Sequence, residues 1–310
     1  MSLMRRVLLA GSESPWLRAQ AKRRAFVRRS VARFMPGERL EDALSTADRL
    51  RREGIGTIFT RLGEDLTTAA EADEVAEHYA RVLDAATAAG LDGGISLKPT
   101  QLGLHLDRER CFRHLRGLVE RAGVTDRRVW IDMESSDRVD ATLELFRRAR
   151  ERSPHVGVCL QAYLHRTPAD LEALLPLGPA IRLVKGAYRE SPDRALARRR
   201  DVDERFFALA THLLGEEARR NGSFLAIATH DPRLIERLRS FLSAHQVPPT
   251  AYEFAMLYGI QRPQQTRLAA EGQRLRVLVS YGEHWFPWYM RRLAERPANV
   301  WFVARNLVSG

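Results

Sequence analysis

Cysteine is nearly absent: the 310 residues hold only Cys111 and Cys159, so no disulfide framework is expected and both read as reduced packing residues. No apolar run approaches the roughly 20 residues that span a bilayer. The Val7 to Ala10 stretch behind Arg5 and Arg6 is too short for a signal-peptide core. These absences point to a soluble, cytosolic protein. No glycine fingerprint follows a strand, since Gly90 to Gly94 and Lys185-Gly186-Ala187 have the wrong spacing, and no phosphate loop is present. A Gly-x-Ser-x-Gly elbow is missing, and the nine histidines show no paired ligand spacing, which argues against covalent hydrolase chemistry and a metal. Nucleic acid is an unlikely partner, because no helix-turn-helix, zinc-ligand spacing or aromatic stacking motif accompanies the basic residues.

With 45% hydrophobic and 29% charged residues, the chain is able to bury one sizeable core. Eight short apolar runs supply its framework: Gly56 to Leu62, Gly94 to Lys98, Val129 to Met133, Val156 to Gln161, Ile181 to Lys185, Phe224 to His230, Tyr252 to Met256 and Leu275 to Ser280. Helical periodicity fills the intervals, as in Val75, Tyr79, Val82, Leu83 and Ala86. Strands alternating with helices argue for an α/β fold, and the count is that of a (β/α)8 TIM-type barrel. Active sites of such barrels lie at the C-terminal strand ends. There the chain places Lys98, Asp132, Gln161, Arg182, Lys185, Thr229 and His230. Lys98 and Lys185 leave Schiff-base lyase chemistry open.

Charge is uneven. Of the net +11, residues 1–40 carry +8, ten Arg and Lys against Glu13 and Glu38. Residues 1–39 are expected to form a basic N-terminal helical arm and residues 40–310 the barrel, divided near Pro36-Gly37. The arm either meets an anionic membrane face, giving peripheral attachment, or packs on the barrel through Phe26, Val27, Val31 and Phe34. After the last strand an aromatic turn leads into a helix bearing Arg291 and Arg292. If that helix lies over the barrel mouth, the two forked guanidiniums are able to converge on one carboxylate, oriented by Glu295 one turn on.

Seven segments in order resemble the proline dehydrogenase family from about Leu40 to Ser309. They are Ser96-Leu97-Lys98-Pro99-Thr100-Gln101-Leu102-Gly103, Ile131-Asp132-Met133-Glu134, Leu160-Gln161-Ala162-Tyr163, Arg182-Leu183-Val184-Lys185-Gly186-Ala187-Tyr188, Ala228-Thr229-His230-Asp231-Pro232, Tyr252-Glu253-Phe254 with Leu257-Tyr258-Gly259, and Arg291-Arg292-Leu293-Ala294-Glu295. The resemblance implies an FAD-dependent dehydrogenase. It would oxidise proline to 1-pyrroline-5-carboxylate, or act on a relative such as hydroxyproline or another cyclic or N-substituted amino acid, and pass electrons to a quinone. A barrel that keeps its cofactor site but serves a binding or regulatory role is the alternative.

The resemblance also assigns residues. Arg291 and Arg292 would hold the substrate carboxylate with Lys98, which Asp132 would hold in place, and Leu257 and Leu278 would line the substrate pocket. Arg182 would stand near flavin N5. Met133, Gln161, Lys185, Gly186, Ala187, Tyr188, Arg189, Thr229 and His230 fall on or beside the FAD-contacting segments. The chain departs from the family pattern at Leu278, where a substrate-shaping tyrosine is usual, at Ala255 in place of glutamine, and at Thr60 in place of aspartate.

Overall fold

The computed structural model describes residues 25–63 and 66–295, with the backbone alone for residues 25, 26, 28, 29 and 291–295. Eight parallel strands close in sequence order: β1 Gly56–Arg61, β2 Gly94–Leu97, β3 Val129–Ile131, β4 Val156–Gln161, β5 Ala180–Val184, β6 Phe224–Ala228, β7 Tyr252–Leu257 and β8 Leu275–Tyr281. β8 closes on β1 with Ile58 opposite Leu278 and Thr60 opposite Ser280. Each expected run is a strand, and β4 coincides residue for residue. β3 ends two residues early because Glu134 is drawn away, its carboxylate accepting from Thr100 N at 3.2 Å and Thr100 Oγ1 at 2.7 Å.

Alternation along each strand sends one set of side chains to the helices and the other into the tube. Val129, Ile131, Val156, Val158, Ile181, Leu183, Val277 and Val279 belong to the large outer core under the helices. Ile58, Trp130, Ala180, Ala226 and Ala255 form a separate cluster inside the tube. Trp130 fits there because its register partner is Gly157, where a Cβ would sit 2.5 Å from the indole.

The helices are α1 Ala25–Ala32, α2 Leu40–Arg52, α3 Ala69–Ala88, α4 Arg108–Gly123, α5 Val139–Arg150, α6 Thr167–Leu174, α7 Arg199–Leu213, α8 Glu216–Arg220, α9 Pro232–Ala244, α10 Arg262–Ala270 and α11 Trp285–Glu295. α3 begins where Thr68 accepts from Glu71 N and Glu71 reaches back to Thr68 N, a reciprocal cap that satisfies two otherwise orphaned donors. Its buried face is the expected Val75, Tyr79, Val82, Leu83 and Ala86.

α11 follows β8 and packs against α1, not against the outer core. Val27, Val31, Phe34, Met35, Trp285, Phe286 and Tyr289 make a small apolar cluster that also touches Leu62 and Ile260, just past the C-terminal ends of β1 and β7. Tyr289 Oη donates to Ser30 Oγ at 2.6 Å, and Trp285 Nε1 to Glu38 Oε1 at 2.7 Å. Thus the final helix sits on the mouth side, and the last part of the arm packs on it. Val27, Val31 and Phe34 make that contact as expected, the Phe26 side chain lies outside the described residues, and so does the arm before residue 25. No described helix is long and apolar enough to cross a membrane.

Candidate active site

Arg182 is the centre of the mouth. Its position on β5 directs it into the tube, where it is only 5% exposed. Nη2 donates to Ser96 Oγ at 2.8 Å and to Asp132 Oδ1, Nε donates to Cys159 Sγ at 3.2 Å, and the guanidinium lies 5.3 Å from the Trp130 ring centroid. Ser96 Oγ also donates to Asp132 Oδ1 at 2.7 Å. Burial works against the charge, but the Asp132 carboxylate and the hydrogen bond to Cys159 outweigh it, so the net direction of the Arg182 pKa is up and the cation is permanent. No described acceptor bonds Nη1. Asp132, which the resemblance expects beside Lys98, thus accepts through Oδ1 from Ser96 and Arg182, so one carboxylate oxygen ties β2, β3 and β5 together.

The ends of β1 and β2 are braced by Gln101. Its Nε2 donates to Arg61 O at 2.9 Å and Gly63 O at 2.7 Å, while its Oε1 accepts from Lys98 N at 3.1 Å. This fixes the backbone of half-buried Lys98 at the rim, and its side chain is engaged as well. Gln161, on the inward face of β4 and 3% exposed, donates to Glu134 O at 3.3 Å, whereas its Oε1 is buried with no partner. An orphaned buried acceptor costs about 1–3 kcal/mol, so it marks a position suited to a ligand donor. Met133, next in sequence to Glu134, is buried.

Beyond β5 the segment Lys185 to Arg189 crosses the rim. Gly186 has φ +116°, and a Cβ there would run into the Tyr163 ring, so the turn requires glycine. Tyr163 Oη then donates to Tyr188 O at 3.2 Å and holds the segment down. Ala187 and Arg189 are exposed. Lys185 Nζ is paired with Asp203 and with Asp231 Oδ2 at 3.1 Å, which Arg199 also meets at 3.1 Å. Burial would raise Asp231, but Lys185 and Arg199 hold the carboxyl below its usual range. A lysine between two carboxylates is a poor Schiff-base nucleophile. Beside it a cavity of about 660 Å³ is lined in part by Arg199, Arg200, Arg233 and Arg237. Thr229 Oγ1 accepts from Asp231 N at 3.2 Å, and His230 Nε2 accepts from Leu257 N at 2.8 Å, tying β6 to β7.

Leu257 is half-buried at the end of β7. Half-buried Leu278 packs with Ala228 against the inner cluster that contains Ile58 and Ala255. The mouth is therefore polar along β2 to β4 and aliphatic along β6 to β8, with Arg182 reaching across. Arg291, Arg292 and Glu295 lie in α11, but their side chains fall outside the described residues.

The model of the family described as proline dehydrogenase matches residues 43–305. The chain belongs to the proline dehydrogenase family. It is 37% identical over 306 residues to proline dehydrogenase 1 of Bacillus subtilis subsp. natto, covering 99% of both chains. It is 35% identical over 313 residues to proline dehydrogenase of Deinococcus radiodurans, again covering 99% of both. The fold is similar to that of proline utilization A from Bdellovibrio bacteriovorus, with TM-score 0.78 and 23% identity over 86% of this chain and 32% of that longer one. The chain is a proline dehydrogenase-like oxidoreductase, as the sequence motifs implied. Sequence reasoning took Cys159 for packing alone and so missed its contact with Arg182; the signal was its place two residues before Gln161, on the same inward face of β4.

Proposed function

We propose that the protein binds FAD at the barrel mouth and oxidises proline to 1-pyrroline-5-carboxylate. The observation that carries this reading is Arg182, a buried permanent cation that links β2, β3, β4 and β5 through Ser96, Asp132 and Cys159 and whose Nη1 has no acceptor among the described residues. Bound FAD would supply the two-electron acceptor, taking hydride from the carbon beside the proline nitrogen while that nitrogen loses its proton. A cation near the ring stabilises the negative charge that reduction places on it.

The residues present fit that cofactor. Gln161 Oε1 offers an unsatisfied acceptor for a ring N–H. The rim cavity carries four arginines against Asp203, Glu204 and Asp231, with Arg200 and Arg233 in no ion pair among the described residues and so available to a diphosphate. Met133, Lys185, Gly186, Ala187, Tyr188, Arg189, Thr229 and His230 surround these two positions in the chain and would hold the dinucleotide. Arg291, Arg292 and Lys98 would clamp the substrate carboxylate, with Glu295 orienting the arginines. Leu257 and Leu278 would face the ring of the amino acid. Positioning and electrostatics then carry most of the rate, since an amine bound unprotonated needs no strong acid or base. Electrons would leave to a quinone, and the basic arm would bring the protein to the anionic face of a cytoplasmic membrane.

The test is anaerobic. Purified protein, supplied with FAD, is expected to bind it without a covalent bond and to bleach near 450 nm when proline or a cyclic relative is added. A protein that takes up no FAD, or holds it and is bleached by none of these amino acids, would overturn the reading.

A further inference from the structure

Arg182 touches three acceptors, and one of them is unexpected. Ser96 Oγ and Asp132 Oδ1 meet Nη2, on one corner of the guanidinium. Nε, which shares an edge of the plane with Nη2, is met by the Cys159 thiol at 3.2 Å. Burial raises the Cys159 thiol, so the sulfur is a neutral, weak acceptor and not a counter-ion. Beneath the plane lies Trp130, made possible by Gly157 on the neighbouring strand. A planar cation anchored at one corner is able to pivot about it. A second anchor at Nε removes that freedom and leaves Nη1 as the edge presented to the mouth.

We propose that Cys159 is a positioning residue of the oxidation: its sulfur fixes the tilt of the Arg182 guanidinium on Trp130, so that the cation meets the reducible ring in one orientation. This rests on the functional reading above, because the tilt matters only if Arg182 faces that ring. Cysteine suits the position because it is small and apolar enough for the tube interior while still accepting a hydrogen bond. Valine would match its shape and remove the acceptor; serine would keep the acceptor.

The experiment compares wild type with Cys159→Val and Cys159→Ser, each with FAD bound and checked for folding by circular dichroism. Three quantities are read: the rate of flavin reduction at saturating proline, the KM, and the flavin midpoint potential. Cys159→Val is expected to reduce about tenfold more slowly with KM unchanged and to lower the potential by about 30 mV, the equivalent of a tenfold shift in a two-electron equilibrium. Cys159→Ser is expected to recover most of both. In the cofactor-free protein, the Arg182 Nε–H resonance, assigned by its loss in Arg182→Lys, is expected to move in the valine variant and exchange faster with water. An active wild type matched in rate, potential and resonance by Cys159→Val sinks this proposal alone. A wild type that no proline or cyclic relative reduces sinks the functional reading and the proposal with it.

Discussion

Two arginines enter the barrel from inward positions, and they are used differently. Arg276, near the start of β8, donates Nε to Glu253 Oε2 at 3.0 Å and pairs Nη1 with Asp92 Oδ2 at 3.0 Å. Glu253 is only 3% exposed, so near the floor Arg276 lies between two carboxylates, and the buried Arg128 guanidinium over Trp130 and Phe224 adds a further cation drawn to Glu253. Burial opposes the Arg276 charge, and Glu253 and Asp92 overcome it to raise the pKa. Arg182, nearer the mouth, has one carboxylate, one hydroxyl and one neutral sulfur, and among the described residues no acceptor on Nη1. A floor that only closes the tube gains nothing from a free donor. At the mouth a free donor awaits something that arrives from outside.

The comparison is broken most directly by deleting each cation. Arg276→Met strands the Glu253 carboxylate and is expected to lower folding stability by about 3–5 kcal/mol, leaving the rate of flavin reduction in the folded protein unchanged. Arg182→Met is expected to cut that rate by about 10²–10³, with a smaller loss of stability because Asp132 keeps Ser96 and is partly solvated. Urea unfolding and stopped-flow reduction separate the two. Equal losses in both assays for both variants would erase the distinction between floor and mouth.

Next come the mouth cations supplied by α11. Arg291→Met and Arg292→Met are each expected to weaken substrate binding by about 2–5 kcal/mol while FAD stays bound. A normal KM in either variant would mean that α11 does not turn those side chains to the substrate. The aliphatic half of the mouth is probed by Leu278→Tyr. Wild type is expected to prefer a bulkier or N-alkylated or hydroxylated cyclic amino acid over proline, and the tyrosine to shift preference toward proline by about 1–3 kcal/mol in kcat/KM. Identical kcat/KM ratios in wild type and variant would place Leu278 off the substrate.

A third titratable contact tests the outer shell. His78 Nε2 accepts from Tyr281 Oη at 2.8 Å, and burial, aided by Arg61 and Arg81, lowers the histidine to about 4. Tyr281 is pushed up, chiefly by burial, and so remains the donor. Because the folded pKa lies below the unfolded value, the unfolded chain binds the extra proton first. Stability is therefore full above about pH 6.5 and declines as pH falls toward 4. Urea midpoints at pH 7 and pH 5 are expected to converge more in His78→Gln than in wild type; parallel curves would show that His78 contributes nothing to the slope. The smallest effect is expected from the arm, where each basic residue contributes about 1 kcal/mol of attraction to an anionic vesicle, screened by salt. Removing residues 1–24 should reduce low-salt co-sedimentation without loss of flavin, and equal sedimentation would leave the arm as packing for α11.

Legibility along the chain followed locality. Strand β4 and the buried face of helix α3 were readable residue for residue, because burial of strand runs or helically spaced side chains writes a pattern into the sequence. The early end of β3 was not, since Thr100 pulls on Glu134 from 34 residues away. Lys98, Asp132 and Gln161 stand at or just past strand ends as read, whereas Arg182 lies mid-strand in β5. Its contacts with Ser96 and Asp132 were not read, and Cys159 was passed over. The thiol itself gave no sign of its partner; only its inward place on β4, two residues before Gln161, did.

By itself the sequence determined the barrel, its order and the side of it that does chemistry, because strand periodicity, connection length and the chirality of parallel βα units leave few other solutions. Only the tertiary structure decided who meets whom across the tube. Arg182 reaches Ser96 over a separation of 86 residues and Asp132 over 50. It rests on a tryptophan that a glycine on the next strand admits. Those contacts depend on strand register and closure, and a register is a property of two strands together, which neither strand's residues state alone.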